Sequence, residues 1–190
     1  MGIFLDIAGM LLVRATIIVI MVTVTVTMND VLYFKIAKNS VQSDLHATIE
    51  VLESDIRNAG YGVTVGTTFK NTDTLSLLFL ADIDTNGTPD LIYYYLSDTS
   101  FLAASPNPND KLLYRQVNNG LKQTVGVGVT QFQVHYYTLL GDPTTDTLLV
   151  GSLEIQMDVE HGYLKSRYSP NINGDWFPAA HWRRRLFPTI

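Results

Sequence analysis

Residues 3–28 read IFLDIAGMLLVRATIIVIMVTVTVTM, and this stretch decides the fold. Only Asp6 and Arg14 carry charge within it. A helix needs about 20 apolar residues to cross the hydrocarbon core of a bilayer, so the run is long enough. A secretory signal would show a basic start, a shorter apolar core and a small-residue cleavage site. No basic residue precedes this run and no clear cleavage site follows it, so the segment is read as retained. The Val-Thr alternation at 22–27 is β-branched, which lowers helix propensity in water. In an apolar medium the backbone must satisfy its own hydrogen bonds, and a helix does so. Threonine can also donate back to the carbonyl of the preceding turn. A helix is therefore predicted throughout.

The two charges qualify the reading of a plain anchor. Arg14 lies near the middle of the run, where a charge costs about 2.5–3.5 kcal/mol on insertion scales. Asp6 and Arg14 are eight residues apart, about 12 Å of helical rise, too far to pair within one chain. They could pair between neighbouring chains staggered along a common axis. A bundle of identical subunits offers that arrangement and a lone anchor does not.

Working outward, residues 29–59 turn amphipathic. Val41, Leu45, Ile49, Leu52 and Ile56 recur at spacings of four, four, three and four, one face of a helix. Lys35, Lys38, Asp44, Glu50, Glu53 and Arg57 fall on other faces, and Glu53 and Asp55 read as ordinary solvated helix charges. Asn58-Ala59-Gly60 is a stop signal, with Gly60 suited to a left-handed cap. No proline interrupts residues 1–60. One nearly continuous helix of about 55 residues would be about 80 Å long. No compact fold of this size buries it, so its first half belongs to a membrane or to an assembly.

After Gly60 the pattern changes to strands and turns. Strands are predicted at Thr74–Leu80, Leu91–Ser97, Lys111–Val117, Val129–Leu139 and Leu148–Val159. Turn-forming clusters separate them at Asp82–Asp90, Ser105–Asp110, Asn118–Gly120 and Gly141–Thr145. Sequential strands with short connections favour an antiparallel sheet, one face of which would pack on the amphipathic half of the helix. The tail from His161 holds Trp176, Trp182, four arginines and three prolines and is read as irregular, an outer loop or a subunit contact. The expected fold class is α+β, a long N-terminal helix packed on a mainly antiparallel β-sheet head. The expected division is 1–28 apolar helix, 29–60 amphipathic continuation and 61–190 β-rich head.

Composition narrows the chemistry. The 190 residues carry a net charge of −5 and no cysteine, which excludes disulfides, thiol catalysis and thiolate zinc sites. The negative balance does not suggest a nucleic-acid partner. No nucleophile elbow, phosphate-binding loop or zinc-protease helix motif occurs, and His46, His135, His161 and His181 lack metal-ligand spacing, so no enzyme is expected. The loop Asp82-Ile-Asp84-Thr-Asn86-Gly87-Thr-Pro-Asp90 resembles the start of a calcium loop, with oxygen ligands at alternate positions and glycine at the sharp turn. Position twelve is Tyr93 and not a bidentate glutamate, so a partial Ca2+ site and a plain acidic β-turn both fit. The same loop holds the formal glycosylation sequon Asn86-Gly87-Thr88, a weak signal. Trp182-Arg183-Arg184-Arg185 is a small basic patch that would serve salt bridges, a neighbouring subunit or an anionic ligand.

The stretch QSDLHATIEVLESDIRNAGYG at 42–62 closely resembles the PilW-like minor pilins and pseudopilins of the type IV pilin-like superfamily, in which a helix ends in a similar L-x-x-D-I-R-N-A-G-Y sequence. The order that follows is also similar: a strand at 74–80, an Asp/Asn/Gly loop, I-x-Y-x-L at 92–96, L-x-R at 113–115 and G-V-x-x-F-x-V-x-Y at 128–136. The similarity covers roughly residues 40–159. It implies a structural subunit held in the cytoplasmic membrane, exported by pilus or secretion assembly machinery and stacked into an extracellular helical filament. Major subunit, minor tip pilin, secretion pseudopilin and archaellum-like motility subunit are all roles of such chains. A monomeric membrane-anchored binding module is the rival class. Prepilins carry a basic leader, a glycine cleavage point and a glutamate at the fifth mature position. Here Gly2 would be the first mature residue, Asp6 would take the place of the glutamate that neutralises a neighbour's terminal amine, and Arg14 would be a second partner.

Overall fold

The computed structural model describes residues 2–64, 66–162 and 177–188. One helix, α1, runs unbroken from Gly2 to Arg57, 56 residues. Seven strands follow: β1 (Ser76–Ala81), β2 (Asp90–Leu96), β3 (Leu112–Val117), β4 (Gln123–Val127), β5 (Val129–Tyr137), β6 (Ser152–Glu160) and β7 (Ala179–Leu186). The chain divides into two units, Met1–Ala37 and Lys38–Ile190.

In the first unit the β-branched run stays helical for the reason its sequence suggests. Thr23, Thr25 and Thr27 donate their hydroxyls to the carbonyls of Val19, Met21 and Thr23 at 2.8–2.9 Å, and Thr16 donates to Val13 at 2.8 Å. The hydroxyls are thereby satisfied within the helix, and its surface remains apolar.

In the second unit the stripe Val41, Leu45, Ile49, Leu52 and Ile56 is buried and shares one core with Leu77, Phe79, Ile92, Tyr94 and Leu113 and with Phe132, Val134, Leu153, Ile155 and Met157. The helix ends at Arg57, and Gly60 takes φ +89°, the left-handed conformation expected of it. Its N–H does not close a cap on the helix but donates to Leu80 O of β1 at 2.9 Å, so the stop also starts the packing of strand on helix.

The strands form two antiparallel sheets, β1-β2-β3-β4 and β5-β6-β7, where the sequence alone predicts one. The reason lies at Gly128. The chain leaves β4 in the first sheet and enters β5 in the second across this single residue, which has φ +74°. A bulge follows between Val129 and Gln131. Buried Val129, Phe132, Val134 and Tyr136 are consequently spaced three, two and two, where a regular strand would space them by two throughout.

Two strands, β4 and β7, lie outside the segments predicted as strands from the sequence. β4 is short, and its edge is covered in part by α1, because Thr48 Oγ1 donates to Val125 O at 2.7 Å. β7 lies in the tail read as irregular, and pairs with β6 along its whole length, from Leu153↔Leu186 to Glu160↔Ala179. Trp176 falls outside the described residues.

Candidate functional site

The candidate assembly residues lie in the first unit. The apolar side chains there are exposed, among them Ile3, Phe4, Leu11, Ile18 and Met21. By length and composition the helix is able to cross a membrane, with a mean hydropathy of 2.4 over its best 18-residue window. Gly2, Asp6 and Arg14 are exposed as well. Among the described residues, Asp6 and Arg14 have no hydrogen-bond or ion-pair partner, and a helical rise of about 12 Å separates them, as their spacing requires.

The head contains two charged clusters that tie α1 to the sheets. Asp55 is buried, which corrects its reading as a solvated charge. Its carboxylate accepts from Tyr94 Oη at 2.6 Å and from Arg115 Nε at 2.6 Å and Nη2 at 3.2 Å. Arg115 also donates from Nη1 to Gln123 Oε1 at 3.1 Å. Glu53, likewise buried, accepts from Arg57 on its own helix at 3.0 Å and from Arg184 of β7 at 2.7 Å. The arginine run is therefore occupied within the chain. Arg183 pairs with Glu154 at 2.6 Å, and Arg185 donates to Ser152 at 3.0 Å and lies 4.2 Å from the Tyr137 ring centroid. His181 pairs with Asp158 across the same strands, and His46 lies 3.4 Å from Glu50.

Burial first, and then the Asp55 charge, push the Tyr94 phenol far above the usual tyrosine range; burial and Asp73 do the same to Tyr136. Each folded-state pKa is raised, so the contribution is complete below the ordinary tyrosine value of about 10 and is lost as pH climbs above it. Stability should fall above pH ~10 by up to about 1.4 kcal/mol per pH unit for each tyrosine. Urea midpoints measured at rising pH check this, and Tyr94→Phe should remove one share of the slope.

The acidic loop folds as a hydrogen-bonded turn. Asp82 accepts from the N–H groups of Asn86 at 3.0 Å and Gly87 at 2.8 Å, and Gly87 has φ +83°. Asp90 accepts from Ile83 N at 3.3 Å and from the Asn118 side chain. Carboxylate oxygens of Asp82, Asp84 and Asp90 lie within 4.8 Å of one another and could hold a cation. Asn86, the fourth expected ligand, is directed elsewhere: its Nδ2 donates to Asp84 at 2.7 Å and its Oδ1 accepts from Thr88 N at 2.8 Å. Tyr93 lies inside β2. With three carboxylates and no bidentate glutamate, Ca2+ should leave the melting temperature unchanged below about 0.1 mM. Thermal denaturation across a calcium series checks this, with Asp84→Asn as the control.

Comparison of the chain with protein-family models and with curated proteins returns no match.

Proposed function

We propose that this chain is a structural, non-catalytic subunit of a type IV pilus-like filament. The observation that carries the reading is the first half of α1: a membrane-length apolar helix with its side chains exposed and its threonine hydroxyls capped by its own carbonyls. Such a surface suits two environments, lipid and a bundle of like helices. The subunit waits in the cytoplasmic membrane and is then drawn by assembly machinery into a homo-oligomeric helical filament outside the cell. Because the starting environment is already apolar, helix packing and charge pairing supply the preference for the filament. The head lies on the outside and makes adhesive, motility or cargo contacts.

A second observation supports the PilW-like resemblance. Asp55, Tyr94 and Arg115 belong to three separate motifs that carry it, and they meet in one hydrogen-bonded cluster. The resemblance favours a minor pilin or pseudopilin over a major subunit, with an archaellum-like motility filament as a further role.

The test is electron microscopy of material sheared from the native cells, with mass spectrometry of its proteins. Thin filaments made mainly of this chain establish a major subunit, and filaments with traces of it a minor one. If cells make filaments while this chain stays wholly in the membrane fraction, the membrane-anchored binding module replaces this proposal.

A further inference from the structure

We infer that the cavity where α1 meets the start of β5 binds a small organic cation, a guanidinium or primary ammonium group held by the Asp110 carboxylate. The inference concerns the head and stands apart from the filament reading. The cavity has a volume of about 220 Å3 and lies within the second unit, between Asp44 of α1, the turn at Gly128 and the 97–111 connection that joins β2 to β3. Asp110, on that connection, lines the cavity and is 3% exposed. Its Oδ2 accepts from Ser105 Oγ at 2.5 Å, whereas its Oδ1 is buried and has no hydrogen-bond partner. Ser105 is itself fixed, because its Oγ accepts from Asn107 N at 3.2 Å and lies 3.3 Å from Gly162 O. Gly162 permits this close approach: a Cβ there would lie 2.7 Å from Asp110 Oδ2 and 2.8 Å from Ser105 Oγ.

The walls add to the negative charge. Asp44 and Glu160 bring two further carboxylates, beside the His161 imidazole. Glu160 is held in place by buried Asn107, whose Nδ2 donates to Oε2 at 2.7 Å. Burial pushes the Asp110 carboxyl above the usual carboxylate range, against the opposing pull of the Ser105 hydrogen bond and of His161. A buried carboxylate is costly unless a cation or further donors compensate it, and a bound cation supplies both. Geometry selects the kind of cation. Among the described residues, the group that brings three carboxylate or imidazole ligands within 4.8 Å of one another is Asp82, Asp84 and Asp90, not the residues of this cavity. A bare metal ion needs its ligands drawn in to about 2.0–2.6 Å. A guanidinium or ammonium group instead reaches outward with several N–H donors, to acceptors about 2.7–2.9 Å from each nitrogen. At about 30 Å3 per water, the cavity has room for such a group and its carbon stem.

The test is titration of the 15N-labelled full chain in detergent with methylguanidine, following the amide signals of Asn107 and Gly162, with exposed Leu121 as the reference. Methylurea, of the same shape and without charge, is titrated in parallel. Methylguanidine should shift both amides saturably, with a dissociation constant of about 1 mM, within the efficiency bound for so small a ligand. Methylurea should leave them in place. Asp110→Asn, which keeps an oxygen for Ser105, should weaken binding at least about tenfold, the factor that follows from losing a hydrogen bond to a charged group. Thermal melting shows whether that variant is folded. Asp44→Asn, on the exposed surface of the helix, is the second variant and should weaken binding about twofold. An equal response to both probes, or to neither, would overturn the inference and leave a cavity that holds water. Shifts of these amides by Ca2+ and not by methylguanidine would make it a metal site and overturn it equally. A concentration series of the chain alone then separates two sources of the cation. Shifts that grow with chain concentration and are abolished by excess methylguanidine identify a basic side chain of a second copy, and signals independent of concentration identify a free small molecule.

Discussion

Arg115→Met should destabilise the folded head by about 3 kcal/mol, because it leaves the Asp55 carboxylate buried without its cation. Removing one member of a buried pair costs far more than the pair contributes, since the remaining charge has lost water and gained nothing. Tyr94→Phe removes a neutral donor to the same carboxylate and should cost about 1 kcal/mol. Replacing both ions, Asp55→Leu with Arg115→Met, should recover much of the loss, because no orphaned charge remains. Urea unfolding of the full chain in detergent measures all three, with an unchanged slope showing that stability alone has moved. A cost below about 1 kcal/mol for Arg115→Met would mean that water screens the pair as it does an exposed one.

Gly128→Ala should be of similar or larger effect, about 3 kcal/mol or more, by a different route. A Cβ built at position 128 would lie 2.4 Å from the backbone oxygen of Glu160, a contact no side chain can move aside. The φ of +74° adds conformational strain for any residue with a Cβ. The backbone there is also fixed by Glu160 N, which donates to Gly128 O at 2.9 Å. Relief requires opening the β5–β6 end where the chain changes sheets. Gly87→Ala is the informative comparison: its φ is also positive, at +83°, but its Cβ would meet nothing within 4 Å. It should therefore cost only about 1 kcal/mol.

Much of this fold is legible in the sequence because the signals are local. The stripe from Val41 to Ile56 has helical spacing, Gly60 marks the stop, and five strands are bounded by turn-forming residues. The rest depends on partners far along the chain. Asp55 and Glu53 look like solvated helix charges until Arg115, sixty residues later, and Arg184 arrive beside them. β7 reads as a basic tail because three adjacent arginines mask its alternation, and only the pairing with β6 turns Arg183 and Arg185 to one face and Arg184 to the other. β4 is too short, and too interrupted by Gly126, to stand out. The step from one sheet to two was signalled, weakly, by the spacing of three between Val129 and Phe132. The assembly charges are different: Asp6 and Arg14 are conspicuous in sequence because nothing else in residues 2–28 is charged.

The central claim is that residues 3–28 pass from lipid into the interior of a filament. It is tested most directly by thiol labelling of sheared filaments, in which Ile20→Cys and Leu121→Cys chains are compared for their reaction with a membrane-impermeant maleimide. Leu121 is 91% exposed on the head and serves as the open reference. The account predicts that position 20 is shielded in intact filaments, becomes reactive when they are dissolved in detergent, and that position 121 labels in both. Equal labelling of the two positions in intact filaments would contradict it.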